Sequence, residues 1–447
     1  MLDSLRQTGA WKILKGIRRV IRKRISLVKR RIRRSVTLFA NRHVAIRPYL
    51  RWQRRVVAEL KYRLRYCLFT KIDPKVIFFE SFIGRSYSDN PRAIYEYLLT
   101  DPRFNGYTFV WAFRKPALRR ELPELERAEV VKIKSRRYFR YCAMAGTWVS
   151  NSRMTAGLVC RDKQNFIQTW HGTPLKRLGH DLSLEGNAMN TMRELHQKWV
   201  IDTRKYTTLL SYSPFTSEKF RTAFALDKLG LGHIMREVGM PRNDMLVRAK
   251  DMDRARCKAR LGISADKKVI LYAPTWRDNQ HEAGVGYTYK NKMDFTALRE
   301  ALGDEYVVLF RAHYFVSNSF DFEAHAGFVI NASHYDDIAQ LYPATDMLIT
   351  DYSSSLFDYA ILDRPILLYM YDLEEYRDET RGFYISTDEM PGPVTQTMPD
   401  LIESIRQAEK GITVPPEKLA AFKEKFLPLD DGEVSRRVAE IILEGSI

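Results

Sequence analysis

Residues 72–447 predict an α/β protein built as two doubly wound, Rossmann-type domains, preceded by a basic amphipathic arm. Three observations carry this reading. Short apolar runs alternate with helix-like polar stretches from residue 74 onward, a second series of the same kind opens at residue 268, and the excess positive charge lies before residue 72. Runs of strand length separated by helices imply parallel sheets covered on both faces. A chain of 447 residues is also too long for one ordinary core. The expected boundaries are an arm at 1–71, a first domain at 72–240 and a second at 241–447.

The arm holds the charge. Of 73 Lys+Arg and 54 Asp+Glu, residues 1–71 contain 22 and 2, leaving 51 against 52 for the rest, so the net +19 is not a property of the body. Ile13, Leu14, Ile17, Ile21, Leu27, Val28 and Ile32 recur at roughly helical spacing among Lys12, Lys15, Arg18, Arg19, Arg22, Lys23 and Arg24, with Trp11 near the start. An aliphatic stripe ringed by cations suits the interface of an anionic bilayer, where each basic residue adds about 1 kcal/mol. A solvated charge run or an RNA-binding arm would use the cations and waste the stripe, so a membrane surface is expected as partner and nucleic acid is not. A second basic-aromatic segment at 49–69 contains Trp52, Tyr62 and Tyr66. No stretch of about 18 uncharged apolar residues could span a bilayer, and no cleavable signal core follows the basic start. Cys67, Cys142, Cys160 and Cys257 form no CxxC pair or metal-ligand cluster, which implies a reducing compartment and no zinc site. Together these features predict a peripheral protein on the cytoplasmic face of the cell membrane.

In the body, strands are expected at 75–80, 108–113, 130–133, 147–150, 165–168, 209–213 and 234–238. Helices fall at 90–99, where Pro91 is placed to start one, and at 138–145, 217–224 and 251–261. The second series has strands at 268–273, 306–310, 328–330, 347–350 and 365–369, with helices at 295–302, 338–342 and 354–361. Ligands collect at the carboxyl ends of strands in such sheets, so two facing halves make an interdomain cleft.

The strand ends carry the chemistry. The run ending at Gln168 leads into Thr169-Trp170-His171-Gly172-Thr173-Pro174-Leu175-Lys176-Arg177-Leu178-Gly179-His180-Asp181. It places histidines, cations and a carboxylate beside helix-breaking glycines and a proline. In the second half, apolar runs end in Thr275-Trp276-Arg277-Asp278, in Arg311-Ala312-His313-Tyr314 and in Asp351-Tyr352-Ser353-Ser354-Ser355. Serines at a strand-to-helix turn can cap the helix, whose open N–H groups favour an anion. Each segment alone has an ordinary explanation: a surface turn, a structural histidine, a surface ion pair or a plain cap.

Taken together, residues 168–181, 272–278, 310–314, 350–359 and 369–378, with Arg381-Gly382-Phe383-Tyr384, resemble the CDP-glycerol glycerophosphotransferase family of teichoic acid primases and polymerases. The Gly239-Met240-Pro241-Arg242-Asn243-Asp244 turn and Asn151-Ser152-Arg153 match as well, so the resemblance covers roughly 74–430 and leaves out the arm. It implies a GT-B architecture, a CDP-linked polyol donor (CDP-glycerol or CDP-ribitol), and transfer of polyol phosphate to a hydroxyl of a lipid-linked acceptor with release of CMP. It also points to His171 and His313 as the central histidines. An acceptor hydroxyl must lose its proton, and a neutral imidazole is matched to that task near pH 7. Charge growing on the phosphoryl oxygens calls for cations and oriented dipoles.

The expected roles follow. His171 is general base, its ring oriented by Asp181 or a backbone carbonyl, with exchange of roles with His313 left open. His313, Arg311, Arg277 and Ser353, Ser354 and Ser355 face the donor pyrophosphate, and Asp351 positions the polyol or a neighbouring cation. Gly172, Thr173, Lys176 and Arg381 complete the substrate-binding set. No cofactor beyond the donor is expected, although a divalent ion is not excluded. The alternatives are a GT-B nucleotide-sugar glycosyltransferase and a non-enzymatic membrane or RNA-binding protein.

Overall fold

The structure is a computed structural model that describes residues 46–182, 191–249, 254–275, 292–312, 320–377 and 382–445, backbone runs at 281–282 and 286–287, and single positions at 17, 24, 28, 31, 35, 39 and 43. The chain divides into two compact units, Met1–Tyr62 and Arg63–Ile447. In the first unit, helix α1 (Arg47–Tyr62) has no acidic residue in its first turn, stacks Tyr49 on Trp52 at 5.9 Å, and exposes Trp52, Val57 and Leu60. The amphipathic stretch expected at 11–34 lies outside the described residues apart from isolated positions. Among the described residues no helix is long and apolar enough to cross a membrane.

The second unit contains two parallel sheets. Strands β1 (Asp73–Glu80), β2 (Thr108–Phe113), β3 (Ala128–Lys132), β4 (Ala145–Ser150), β5 (Asn165–Gln168), β6 (Thr208–Ser211) and β7 (Met235–Glu237) run in the order β3-β2-β1-β4-β5-β6-β7. Strands β8 (Lys268–Ala273), β9 (Tyr306–Phe310), β10 (Val329–Asn331), β11 (Met347–Thr350), β12 (Ile366–Tyr369) and β13 (Val394–Thr395) run in the order β10-β9-β8-β11-β12-β13. Both orders reverse beside their first strand, the topological switch point of a doubly wound fold. In β8, Val269 and Leu271 enter one core cluster while Ile270 and Tyr272 enter another, so both faces of the sheet are covered.

Among the described residues the α-helices of six residues or more in this unit are α2 (Asp89–Thr100), α3 (Arg136–Met144), α4 (Met192–Thr203), α5 (Pro214–Ala223), α6 (Asp244–Ala249), α7 (Arg254–Arg260), α8 (Phe295–Leu302), α9 (Ser355–Ala360), α10 (Met398–Glu409), α11 (Pro416–Phe426) and α12 (Val434–Glu444). All strands expected from the sequence are present, but the helix expected at 338–342 is two 3-10 turns, Ile338–Gln340 and Tyr342–Ala344. Pro343 lacks the N–H that an α-ladder needs there. Helix α4 was not expected; Thr191 and Glu194 form a full capping box at its start. Helix α12 lies against the first half although it ends the chain. Asp244 accepts from the N–H groups of Val434 and Ser435 at 2.9 and 2.7 Å, and Glu440 and Glu444 pair with Arg103 and Arg236 at 2.8 Å each.

Candidate active site

The loop after β5 turns abruptly because its polar groups are consumed locally. Gln168 accepts from the Trp170 N–H through Oε1 (2.9 Å) and donates to the Ser152 carbonyl through Nε2 (3.2 Å). Tyr212 donates its hydroxyl to the Thr169 carbonyl, and Asn90 Nδ2 donates to the Trp170 carbonyl at 3.2 Å. Trp170 is held at φ 51°, a left-handed conformation that costs energy for a bulky residue and marks a tightly determined turn.

The next residue, His171, stacks on Trp170 at 4.5 Å and places Nδ1 at 2.8 Å from the Asn151 carbonyl. A carbonyl can only accept, so Nδ1 carries a proton and the lone pair of the neutral ring sits on Nε2. Burial lowers the pKa of His171 below the ordinary imidazole value, against the raising influence of the Asn151 carbonyl and Asp89. The ring is therefore neutral at pH 7 with Nε2 able to take a proton. Of the two orienting groups expected for it, the backbone carbonyl is the one found.

Asp181 is the correction. Its carboxylate accepts from the Tyr384 hydroxyl at 2.5 Å and the Thr222 hydroxyl at 2.6 Å, so it ties the loop to the second half instead of facing the imidazole. Lys176 joins the same seam, pairing with Phe383 in an antiparallel bridge and donating to the Tyr376 hydroxyl at 3.1 Å. A side chain at Gly172 (φ 150°) would put its Cβ within 2.5 Å of Ser354 Oγ, so the histidine loop and the serine turn approach as closely as backbone allows.

From the second half, Asp351 follows β11 and accepts from the N–H groups of Thr275 (2.7 Å) and Tyr352 (2.6 Å), which shapes two strand ends together. Ser354 occupies the cap position of α9 but makes no capping bond, while Ser353 Oγ accepts from Ser355 N at 3.3 Å and Ser355 Oγ at 2.8 Å. The expected cap thus belongs to Ser353, and Ser354 is left facing the cleft. Arg311 donates to the Tyr335 carbonyl at 3.2 Å, yet its Nε is buried without a partner, and burial lowers its pKa.

Two cavities share His171, Ser353 and Ser354 as walls. One of about 280 Å³ adds Arg311, Arg242 and Asp358, and one of about 300 Å³ adds Thr173 and Lys176. The Thr173 hydroxyl is also buried without a partner. Buried donors left open on cavity walls call for a polar occupant, and on the Arg311 side Asp89, Asp336, Asp337 and Asp358 share the wall with Arg242 and Arg311. His313, Arg277 and Arg381 lie outside the described residues. Among the described residues no group of three or more His, Cys, Asp or Glu could hold a metal ion.

Arg242 was missed as a site residue. It donates through Nη1 to Asp89 (2.7 Å) and the His171 carbonyl (3.0 Å), and through Nη2 to both oxygens of Asp358 (3.0 and 2.7 Å). Burial opposes its charge, but Asp358 and Asp89 outweigh that and hold its pKa well above the ordinary guanidinium value. Burial pushes Asp358 up to about 6, which Arg242 only partly offsets. The only sequence signal was that Arg242 and Asp358 fall in motifs of the resemblance; their pairing across the fold is written in no local pattern.

Two Rossmann-type sheets presenting their strand ends to a common cleft define a GT-B-type architecture. The match to the CDP-glycerol:poly(glycerophosphate) glycerophosphotransferase model spans residues 60–444, and the chain belongs to that family. It is 37% identical over 374 residues to a teichoic acid poly(glycerol phosphate) polymerase of Staphylococcus epidermidis, covering 83% of this chain and 51% of that protein. The chain therefore spans about half the length of that relative. It is 36% identical over 385 residues to a teichoic acid glycerol-phosphate transferase of Staphylococcus aureus, covering 84% of this chain and 95% of the relative. Among solved structures, the wall teichoic acid polymerase TagF superposes with a TM-score of 0.77 at 36% identity over 90% of this chain and 97% of that one. A TagF variant soaked with CDPG gives a TM-score of 0.78 at 35% identity, over 92% and 98% of the two chains.

Proposed function

We propose that the chain transfers glycerol phosphate from CDP-glycerol to a hydroxyl of a lipid-linked acceptor, releasing CMP, in the synthesis of a teichoic-acid-like polymer at the cytoplasmic face of the membrane. Glycerol is preferred to ribitol because the glycerol-phosphate relatives match at 36–37% over 83–84% of the chain, whereas the ribitol-phosphate polymerases reach 29–30% over 62–64%. The observation that carries the chemistry is the Nδ1 bond of His171 to the Asn151 carbonyl, on the wall of a cavity that Arg311 and the serines also line.

In this reading Nε2 of His171 takes the proton of the acceptor hydroxyl as its oxygen attacks the glycerol-bearing phosphorus. The bond from that phosphorus to the bridging oxygen breaks, and CMP leaves with the electron pair. Arg311, Thr173 and Ser354 donate to the phosphoryl oxygens, where positioned donors act on charge that grows in the transition state. His313 and Arg277 would join them on the donor side, and Arg381 would complete the substrate-binding set. No cofactor beyond the donor enters the scheme, and a chelator titration measures what a divalent ion contributes.

Replacing His171 with Ala is expected to lower CMP release from CDP-glycerol by at least about a thousandfold while donor affinity stays within about twofold. Near-normal turnover would remove the assignment. Parallel reactions with CDP-ribitol and a nucleotide sugar, followed by product mass, test the donor class.

A further inference from the structure

Two aromatic rings meet the His171 imidazole, and both are held there by backbone that bulky residues avoid. Trp170 stacks on it at 4.5 Å with 28° between the planes, and Phe82 approaches to 5.8 Å, tilted by 59°. Trp170 stands at φ 51° and Phe82 at φ 45°; among the described residues they are the two aromatic residues with positive φ. Left-handed backbone is disfavoured for such side chains and persists only where the surroundings over-determine it. The Phe82 N–H donates to Asn151 Oδ1 at 2.8 Å, and the Ile83 N–H, at φ 59°, to Ser152 Oγ at 3.0 Å. Asn151 thus secures Phe82 with its side chain and the imidazole with its carbonyl. The N–H and carbonyl of Trp170 are both bonded, and its ring rests on Trp199 at 5.4 Å and Phe224 at 5.1 Å. Packing alone would select relaxed backbone at both positions. Strain at both, converging on one imidazole, is the pattern of a functional arrangement.

The rings answer a difficulty in the chemistry. When Nε2 takes the acceptor's proton, the O–H bond breaks and an N–H bond forms. The electron pair stays on the attacking oxygen, and a positive charge spreads over the imidazole. Burial disfavours that charge, the Asn151 carbonyl and Asp89 favour it, and Arg242 opposes it. Asp336, Asp337, Asp358 and Arg311 are the further charged groups on the wall of the same cavity. A base whose protonated form is too costly accepts a proton poorly. The face of an indole attracts a cation within about 6 Å of its centroid, most strongly where water is excluded. A neutral imidazole gains little from that face and an imidazolium gains more, so the contact favours the transition state over the ground state.

We infer that Trp170 and Phe82 are positioning residues for the proton transfer: they clamp the His171 ring in the orientation that its Nδ1 bond selects, and the Trp170 face stabilises the imidazolium as it forms. This rests on the reading of His171 as the general base, and it adds the groups that make a buried imidazole basic enough for the task.

The test combines kinetics of CMP release with NMR titration of the His171 ring in the full chain, its signal identified by its loss in His171→Ala. Trp170→Leu is expected to lower kcat about tenfold with KM for CDP-glycerol within about twofold, and Trp170→Phe, which keeps a smaller aromatic face, should recover part of that loss. A fluorinated tryptophan in place of Trp170 alone keeps the size of the ring and weakens its face. It should lower kcat about threefold and move the His171 pKa down, with the thermal melt unchanged. Phe82→Gly, whose backbone takes φ 45° freely, should hold or raise the melting temperature while kcat falls about fivefold. Unchanged kcat and an unmoved His171 pKa in the fluorinated protein would overturn the role of the Trp170 face. A Phe82→Gly protein that loses stability and keeps its rate would overturn the clamp. The base and the clamp fail separately: near-normal turnover in His171→Ala would remove the base, whereas the pKa shift in the fluorinated protein reports the ring contact whichever group takes the proton.

Discussion

The two halves of the body share one winding order and use it for opposite purposes. In the first half the switch point between β1 and β4 is filled by the protein itself: Glu80 ends β1, is fully buried and accepts from the Tyr138 hydroxyl at 2.9 Å. In the second half β8 ends in Ala273 beside Thr350, whose hydroxyl donates to the Ala273 carbonyl at 2.8 Å, and Arg311, directly after β9, has its Nε unpartnered. The first half fixes a single proton acceptor through amides and carbonyls. The second supplies Arg311 Nε as an open donor, to which the first adds the Thr173 hydroxyl on the wall of its own cavity. A common topology therefore sets where a site can form, and the satisfaction of buried polar groups sets what kind of site it becomes.

Arg242 joins the halves, and breaking it tests whether they work as one body. Arg242→Met would leave Asp89 and Asp358 buried and uncompensated, a loss of about 3–5 kcal/mol in stability. Because Arg242 also holds the His171 carbonyl, CMP release should fall more than the folded fraction does. Denaturant unfolding with activity measured alongside would reveal this. A stability within about 1 kcal/mol of wild type would mean the halves are joined by other contacts.

Glu80 sharpens the contrast in a pH-dependent way. Burial pushes its carboxyl up to about 7, against the Tyr138 bond and the charges of Arg114 and Lys134, which pull it down. The folded state then keeps its proton while the unfolded chain gives it up, so the group costs stability progressively as pH rises from about 4.5 to 7. Glu80→Gln mimics the protonated form. It should stabilise by about 3 kcal/mol at pH 8 and by almost nothing at pH 4. A gain that does not change with pH would mean that Glu80 is not held protonated by its burial.

How much of this was legible beforehand differs between fold and site. The strands could be read because a parallel strand buried on both faces is a continuous apolar run: β2, β5, β8, β9 and β11 have the bounds expected from sequence alone. The C-terminal helices were not assigned, and the destination of α12 depends on Asp244 capping it from 190 residues away. His171, Arg311 and the serines could be named because each stands shortly after an apolar run and inside a motif of the resemblance; without the resemblance each had an ordinary explanation. Of the two orienting groups offered for the imidazole the backbone carbonyl is found and Asp181 is not, since proximity in sequence says nothing about the direction of a side chain after a loop that doubles back to Tyr384. Arg242 stayed hidden for the related reason that its partners, Asp89 and Asp358, stand 153 and 116 residues away.

The smallest effect is expected where the second half is asked to act on a ligand, at Arg311. Arg311→Met keeps much of the side-chain volume, removes the open Nε donor and, among the described residues, frees the Tyr335 carbonyl. Losing one positioned donor costs about a hundredfold in rate, so CMP release should drop by about that factor, with weaker binding of CDP-glycerol. His171→Ala should instead remove turnover and spare the donor. Their acid limbs should differ too. In the Arg311 variant kcat/KM should still fall as pH drops through a pKa below about 6.5, because His171 remains the base and burial still holds it low. Unchanged donor affinity in Arg311→Met, or an acid limb displaced upward in it, would mean that the division between a proton-accepting half and an anion-holding half is wrong.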